Sequence, residues 1–183
     1  DLLRLIPGLI ISQHQGGGKA EQYFLRGFDA DHGTDVAIFV DGLPVNLRSH
    51  AHGQGYADLH FLIPETVQRL DGFKGPYFVE YGDFATAGAV NFVLRDFVEE
   101  NYAEASGGSF STMRFLTLLS PTKDALKTLI AAEYYHSDGP FEHPNGYNRF
   151  NILAKAKGSL MPGMDLPAGA SYYYATWHGS GEV

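Results

Sequence analysis

The sequence predicts a small mixed domain followed by antiparallel strands with the pattern of a membrane β-barrel. Three observations carry this. Two apolar runs, residues 67–71 and 89–94, flank a glycine-rich stretch containing Pro76, which predicts two strands joined by a tightly folded loop. Upstream, residues 36–40 (VAIFV) form a continuous apolar run, as a strand buried on both faces requires. Beyond Arg95, five segments of about ten residues recur between turn signals, the length of a tilted membrane strand.

Composition bounds the function. The 183 residues are 44% hydrophobic and 19% charged, an ordinary globular balance, sufficient for one domain or two small ones. A formal net charge of -8 argues against nucleic acid as a partner, since phosphate binding needs a basic surface. The absence of cysteine excludes a disulfide framework, a thiolate nucleophile and a cysteine metal site. No run approaches the ~20 apolar residues of a membrane-spanning helix, which says nothing against a barrel of short, half-apolar strands. The 13 Phe and 11 Tyr suit strands and interfacial aromatic girdles. The chain opens at Asp1 without a methionine or a signal peptide, so it is expected to be a processed product or a piece of something longer.

In order along the chain, residues 2–12 (LLRLIPGLIIS) predict a short helix or strand broken at Pro7. Residues 13–19, with Gly16, Gly17 and Gly18, predict a loop; the lysine that follows lacks P-loop spacing. Residues 23–28 (YFLRGF) predict a strand ending at Gly27. After 36–40, Asp41-Gly42 predicts a tight hairpin, because glycine takes the positive φ of the turn, and residues 43–45 return. Residues 48–61 hold His50, His52 and His60 with Tyr56 and Asp58. Two readings stand here: a polar loop whose histidines meet water or backbone, which is preferred, and chelation of a metal by His50 and His52. Pro64 suits the first turn of a short helix.

In the second part the predicted strands are 102–107, 112–119, 126–136, 147–157 and 166–178, with turns at 120–124 and at Pro162-Gly163 and a long polar loop at 137–146. The third places Leu126, Thr128, Ile130, Ala132 and Tyr134 on one face, and Lys127, Leu129, Ala131, Glu133 and Tyr135 on the other. The fourth sets Phe150, Ile152, Ala154 and Ala156 against Tyr147, Arg149, Asn151, Lys155 and Lys157. Charged residues inward and small apolar ones outward are what a wet lumen in lipid requires; a soluble sheet on a core gives the same alternation, but the succession of turn, long loop and turn favours the membrane. Tyr173 and Trp177 share a face near the end of the fifth segment, where an aromatic girdle is expected.

Several motifs in order resemble one family. Val67, Arg69, Leu70, Asp71, Gly75, Pro76, Tyr81, Gly82, Gly88, Val90 and Asn91 match the pattern of the plug domains of TonB-dependent outer-membrane receptors, with Lys74 where arginine is usual and Ala89 where a second glycine is common. Ile6-Pro7-Gly8-Leu9, Leu25-Arg26-Gly27, Asp41-Gly42 within 36–44, and Ile63-Pro64-Glu65 resemble further plug elements. The resemblance implies a small α+β mixed-sheet plug at residues 1–96, its N-terminus incomplete, and the first five strands of an antiparallel transmembrane β-barrel at 97–183, a fragment of about 22 strands. The plug's first strand and the TonB box are then expected to precede Asp1.

The function this resemblance implies is TonB-dependent active uptake of a scarce substrate (metal-siderophore, metal, haem, cobalamin or glycan) across the bacterial outer membrane, the plug gating the lumen. Implied partners are TonB with ExbB and ExbD, the substrate and outer-membrane lipid; no enzyme activity, cofactor or nucleic acid is expected. Ligand contact falls to Arg48, His50, His52, Tyr56, Asp58 and His60. Arg26, Arg69 and Lys74 are the expected cations of a latch between plug and barrel. Two other classes compete: a plug-like binding module without transport, and a soluble metallohydrolase using His50, His52 and Asp58 with His136 or His143 as a distant third ligand.

Overall fold

The structure is a computed structural model and describes residues 2–13, 17–30, 35–122, 125–161 and 163–179. The predicted loop at Gly16 and the turn residues Lys123, Asp124 and Pro162 lie outside the described residues. The chain divides into two compact units. One comprises residues 1–14, 19–60 and 67–94; the other comprises 15–18, 61–66 and 95–183.

The first unit holds two sheets. A three-stranded antiparallel sheet runs β1 (Leu9–Ser12), β2 (Gln22–Leu25), β3 (Phe28–Ala30). Ahead of β1, a 3-10 turn at Leu2–Leu5 ends before Pro7, which cannot donate to continue it. The predicted single strand over 23–28 is instead a hairpin. Arg26 (φ 55°) and Gly27 (φ 84°) form its two-residue turn, with Leu25 opposite Phe28. Two consecutive positive φ values match the right-handed twist of the flanking strands, so the chain reverses at the Arg-Gly pair.

The second sheet is mixed, in the order β5 (Leu43–Pro44), β4 (Val36–Val40), β7 (Gly88–Leu94), β6 (Val67–Lys74). β4 pairs parallel with β7, and the other pairs are antiparallel. The apolar run of β4 is explained by its place between neighbours, with Val36, Ala37 and Ile38 buried. The Asp41-Gly42 hairpin forms as predicted, at φ 49° and 77°. β6 extends past the predicted end at Asp71 to Lys74. Tyr23, Leu25, Ile38, Val90 and Phe92 are buried in this unit.

The second unit is one antiparallel sheet in sequential order: β8 (Tyr102–Gly107), β9 (Met113–Leu119), β10 (Leu126–Ser137), β11 (Tyr147–Met161), β12 (Met164–Thr176). These are the five predicted strands. Their two faces differ from those of a water-soluble sheet in that the open one is apolar. The buried face carries Leu129, Ala131, Glu133 and Asn151, while Phe115, Ile130, Phe150 and Ile152 are exposed. An open face of aromatic and aliphatic side chains is unfavourable in water and required in lipid, which favours the membrane reading of the alternation. The outer face carries an aromatic row in register, Phe115, Tyr134, Phe150 and Tyr174 on four adjacent strands. The expected girdle pair is corrected here. Tyr173 lies opposite the buried Asn151 and so on the inner face, and Trp177 shares its parity, with its ring 6.4 Å from that of buried Tyr147. The outward aromatics of β12 are Tyr172 and Tyr174. No helix among the described residues is long and apolar enough to cross a membrane, which does not bear on strands.

Candidate functional site

The histidine loop is mounted on β4 by Asn46, a residue with no place in the sequence motifs. Asn46 Oδ1 accepts from Ile38 N–H at 2.7 Å, and its Nδ2 donates to Val36 O at 3.0 Å and Gly55 O at 2.9 Å. β5 covers only the Phe39–Val40 end of β4, so the Asn46 amide replaces a peptide unit along the remaining edge. Its third bond holds the far side of the loop. The loop closes on itself through Leu47 N–H to Tyr56 O at 2.8 Å and Gly55 N–H to Leu47 O at 2.7 Å.

On this mount three rings gather. His50 stacks on Tyr56 with centroids 4.0 Å apart and planes 16° apart, and His52 lies 5.6 Å from His50 and 5.9 Å from Tyr56. The backbone N–H of His52 donates to His50 Nδ1 at 3.2 Å, so neutral His50 carries its proton on Nε2. Burial pushes the Tyr56 hydroxyl above its usual range; the bond from Ala20 N–H opposes this and the Asp58 charge adds to it. The Tyr23 hydroxyl of β2 is also raised, by burial first and then by Glu21 and Asp58.

Asp58 and His60 form a separate pair. Asp58 Oδ1 lies 2.5 Å from His60 Nδ1 and accepts the His60 backbone N–H at 2.8 Å. The structure therefore joins His50, His52 and Tyr56, and sets Asp58 with His60. Arg48 is exposed in the same loop. Among the described residues no three His, Asp or Glu side chains converge as a metal site, so the three-ligand centre of the metallohydrolase reading does not assemble.

The plug-motif residues have structural tasks. Asp41 Oδ1 accepts from Leu94 N–H at 2.8 Å, and Asn91 Oδ1 accepts from Gly42 N–H at 3.0 Å, so these two side chains bind the hairpin turn to β7. Gly75, at φ 87°, donates to Ala87 O at 2.8 Å, and a β-carbon there would meet the Tyr77 ring. Gly88 brings β7 so close to β6 that a β-carbon would overlap the Phe73 carbonyl. Gly82 ends the short 3-10 turn Val79–Tyr81, and the Tyr81 ring packs 4.8 Å from Phe73 and 5.3 Å from Phe39. Pro76 is exposed beside Gly75. Of the expected latch cations, Arg26 and Lys74 are exposed. Arg69 is 65% exposed and forms a bidentate pair with Asp71, at 2.8 and 3.0 Å, which raises the affinity of its guanidinium for its proton.

The second unit contains a charge network absent from the expected site. Arg114 on β9 donates from Nη1 and Nη2 to the two oxygens of Glu65, each at 2.7 Å, and contacts Glu133 on β10 at 2.6 Å. Glu133 is fully buried; it also meets Arg149 on β11 at 2.8 Å and accepts from Asn151 at 3.1 Å. Ile63 is buried against Leu116, Leu118, Leu129 and Ala131, which seats the 3-10 turn Pro64–Thr66. Burial alone raises the Glu65 pKa, but the hydrogen bonds and charge of Arg114 outweigh it and hold the carboxyl below its usual range. Further along, Asp96 lies 3.1 Å from Lys155 and 3.2 Å from Lys157; burial opposes ionisation, and the two ammonium groups nonetheless depress its pKa. The alternation of Arg114, Leu116 and Leu118 on β9 was the signal for the missing arginine.

A mixed-sheet domain bearing these hairpin and glycine contacts, followed in the chain by antiparallel strands with an apolar outer face, is the order of parts of a plug domain and the opening strands of an outer-membrane barrel. Residues 1–89 match the family model described as TonB-dependent Receptor Plug Domain. Residues 1–89 are thus similar to the plug domain of the TonB-dependent receptors. Among solved structures it is similar to the pyoverdine outer membrane receptor FpvA from Pseudomonas aeruginosa, with 20% identity, a TM-score of 0.65, and coverage of 98% of this chain and 26% of that one. It is similar to the copper transporter OprC, with 18% identity, a TM-score of 0.74, and coverage of 99% and 28%. It is also similar to the siderophore receptor PirA from Pseudomonas aeruginosa, with 21% identity, a TM-score of 0.67, and coverage of 97% and 31%. At these identities the likeness is one of fold. The chain spans about a quarter to a third of the length of these structures. The relatives are receptors and transporters, not enzymes.

Proposed function

We propose that the chain is the plug and opening strands of a receptor that takes up a scarce substrate actively across the outer membrane. The substrate, among metal-siderophore, metal, haem, cobalamin and glycan, is held at the loop of Arg48, His50, His52, Tyr56, Asp58 and His60. TonB, energised by ExbB and ExbD, acts through an N-terminal box and rearranges the plug to open the lumen. Arg26, Arg69 and Lys74 hold the plug against carboxylates of the barrel until then. No bond is made or broken in the substrate. The observation that supports this best is the order of parts: a plug-family match leading into a sheet whose apolar face is outward and whose ionised face is buried.

The test is uptake by the complete receptor in cells with and without TonB, across metal chelates, metal ions, haem, cobalamin and oligosaccharides. TonB-dependent accumulation of one compound supports the reading. Binding without TonB-dependent uptake of any of them overturns it in favour of a binding module.

A further inference from the structure

Gly16, Gly17 and Gly18 have no part in the uptake reading, yet two of them lie against aromatic rings. Residues 15–18 belong to the second unit, although the chain up to residue 14 and from Lys19 onward belongs to the first. Gly18 is buried, and a β-carbon there would overlap the Trp177 indole, 2.1 Å from its Cδ2. At Gly17 it would stand 3.0 Å from Cδ1 of Tyr147. Tyr147 is buried at the start of β11, Trp177 follows the end of β12, and their rings are 6.4 Å apart at 60°. The third member is Asn145, also buried. With its amide turned so that each atom meets a complementary partner, Oδ1 accepts from Gly17 N–H at 3.3 Å and Nδ2 donates to His178 O. The Asn145 carbonyl accepts from His178 N–H and its backbone N–H donates to Asp138 O, each at 2.8 Å. Two rings and one amide therefore make a seat that admits backbone and no side chain.

We propose that this seat is a fixed anchorage, which keeps Gly17 and Gly18 on Tyr147, Trp177 and Asn145 throughout uptake. Vacating it uncovers a buried tyrosine ring and takes the Gly17 donor from a buried amide oxygen, and both changes are unfavourable. The ion pair of Glu65 with Arg114 differs. Its carboxylate is 34% exposed and its guanidinium also holds Glu133, so that pair can part without stranding a charge. The anchorage depends on the uptake reading solely for the motion it has to survive.

Two measurements on the complete receptor test it. In detergent, amide hydrogen exchange is followed for Gly18→Ala, Trp177→Ala and the two together. Gly18→Ala is expected to speed exchange at residues 17–18 and 145–147 about tenfold, the size of one lost hydrogen bond, and to add little where Trp177 is already Ala, because the overlapping ring is gone. No change in Gly18→Ala, or the same change in both backgrounds, overturns the seat. In cells, Gly18→Cys with Trp177→Cys replaces the seat by a disulfide. A β-carbon at residue 18 lies 2.5 Å from Cγ of Trp177, one bond from that residue's own β-carbon, which is within disulfide reach. The cross-link is expected to form and to leave uptake equal to the parent's, with or without reductant, for the compound the parent accumulates from the panel of metal chelates, metal ions, haem, cobalamin and oligosaccharides. Failure of the cross-link to form overturns the anchorage. So does a loss of uptake that reductant restores, which makes the seat a strap that opens. A parent that accumulates nothing from the panel sinks the transport reading instead, and the exchange measurements then decide the seat by themselves.

Discussion

Glu65 and Arg114 face one another in a bidentate pair, both N–H···O distances 2.7 Å, although 49 residues separate them. The same guanidinium reaches Glu133, and Glu133 reaches Arg149, so carboxylates and guanidinium groups alternate from Glu65 in the turn Pro64–Thr66 across the inner face of β9, β10 and β11. Glu133 is the centre of this arrangement because it touches both arginines and is shielded from water.

Glu133→Ala therefore strands Arg149 in a poorly hydrated place and leaves Arg114 with Glu65 alone. Removing one member of a buried ion cluster typically costs about 3–5 kcal/mol. We expect a clear fall in the thermal midpoint of the complete receptor in detergent, with Glu133→Gln intermediate because its carbonyl still accepts from Asn151 or Arg149. A midpoint within experimental error of the parent would show that the network is not structural.

The depressed pKa values of Glu65 and Asp96 set a pH dependence. Each carboxyl ionises more readily folded than unfolded, so its stabilising contribution is complete above the unfolded value of about 4 and is lost as pH falls through the lower folded value. The midpoint should vary little on their account between about pH 7 and pH 5 and decline below about pH 4. Glu65→Gln with Asp96→Asn should flatten that acid limb. A parent and double variant with parallel acid limbs would assign the loss to other groups.

The legible parts of the sequence were those where one pattern has one geometric solution. Asp41-Gly42 admits a tight hairpin, and the small apolar residues that alternate with Arg149, Asn151, Lys155 and Lys157 fix both faces of β11. β12 was harder, because Tyr172, Tyr173 and Tyr174 put aromatics on both faces, and the bulge between Ser159 and Met161 shifts the register that would settle them. The Arg26-Gly27 turn was hidden by apolar residues on both sides. Asn46 left no periodic trace: its partners are backbone atoms of Val36, Ile38 and Gly55, which no side-chain pattern encodes.

Asn46→Ala should loosen the histidine loop more than it disturbs the strands. The change leaves Ile38 N–H and the carbonyls of Val36 and Gly55 without the amide, at a cost of about 1–3 kcal/mol for each buried group left unsatisfied. Hydrogen exchange should accelerate at Ile38 and through residues 47–56, while the amides of β7 keep their protection. Unchanged exchange in the loop would remove Asn46 as its mount.

The β8–β9 turn stores strain that can be relieved. Phe110 and Ser111 sit at φ 58° and 56°, and Thr112 N–H closes the turn on Ser109 O at 3.2 Å. Left-handed backbone costs an L-residue roughly 1–2 kcal/mol, and glycine avoids that cost. Ser111→Gly should raise stability by about 1 kcal/mol, seen as a higher thermal midpoint, provided the turn keeps this form. A lower midpoint would mean that Ser111 makes contacts worth more than its backbone strain.

The sharpest test of the membrane reading lies on the outer face. Ile152 is 37% exposed, lies between Ala132 and Tyr172 on the neighbouring strands, and sits two residues along β11 from the aromatic row at Phe150. Ala154 occupies the next outward position on the same strand and is likewise exposed. In lipid an outward Arg costs about 2–4 kcal/mol near the midplane and about 0–1 near the interface. Moving Arg along this row should therefore produce a graded defect: Phe150→Arg small, Ile152→Arg larger, Ala154→Arg larger still, in the yield of folded receptor recovered from lipid vesicles. A water-facing sheet would tolerate all three alike, because an exposed apolar residue loses nothing by becoming charged in water. A graded loss with depth identifies the surrounding medium as hydrocarbon, and a flat profile identifies it as water.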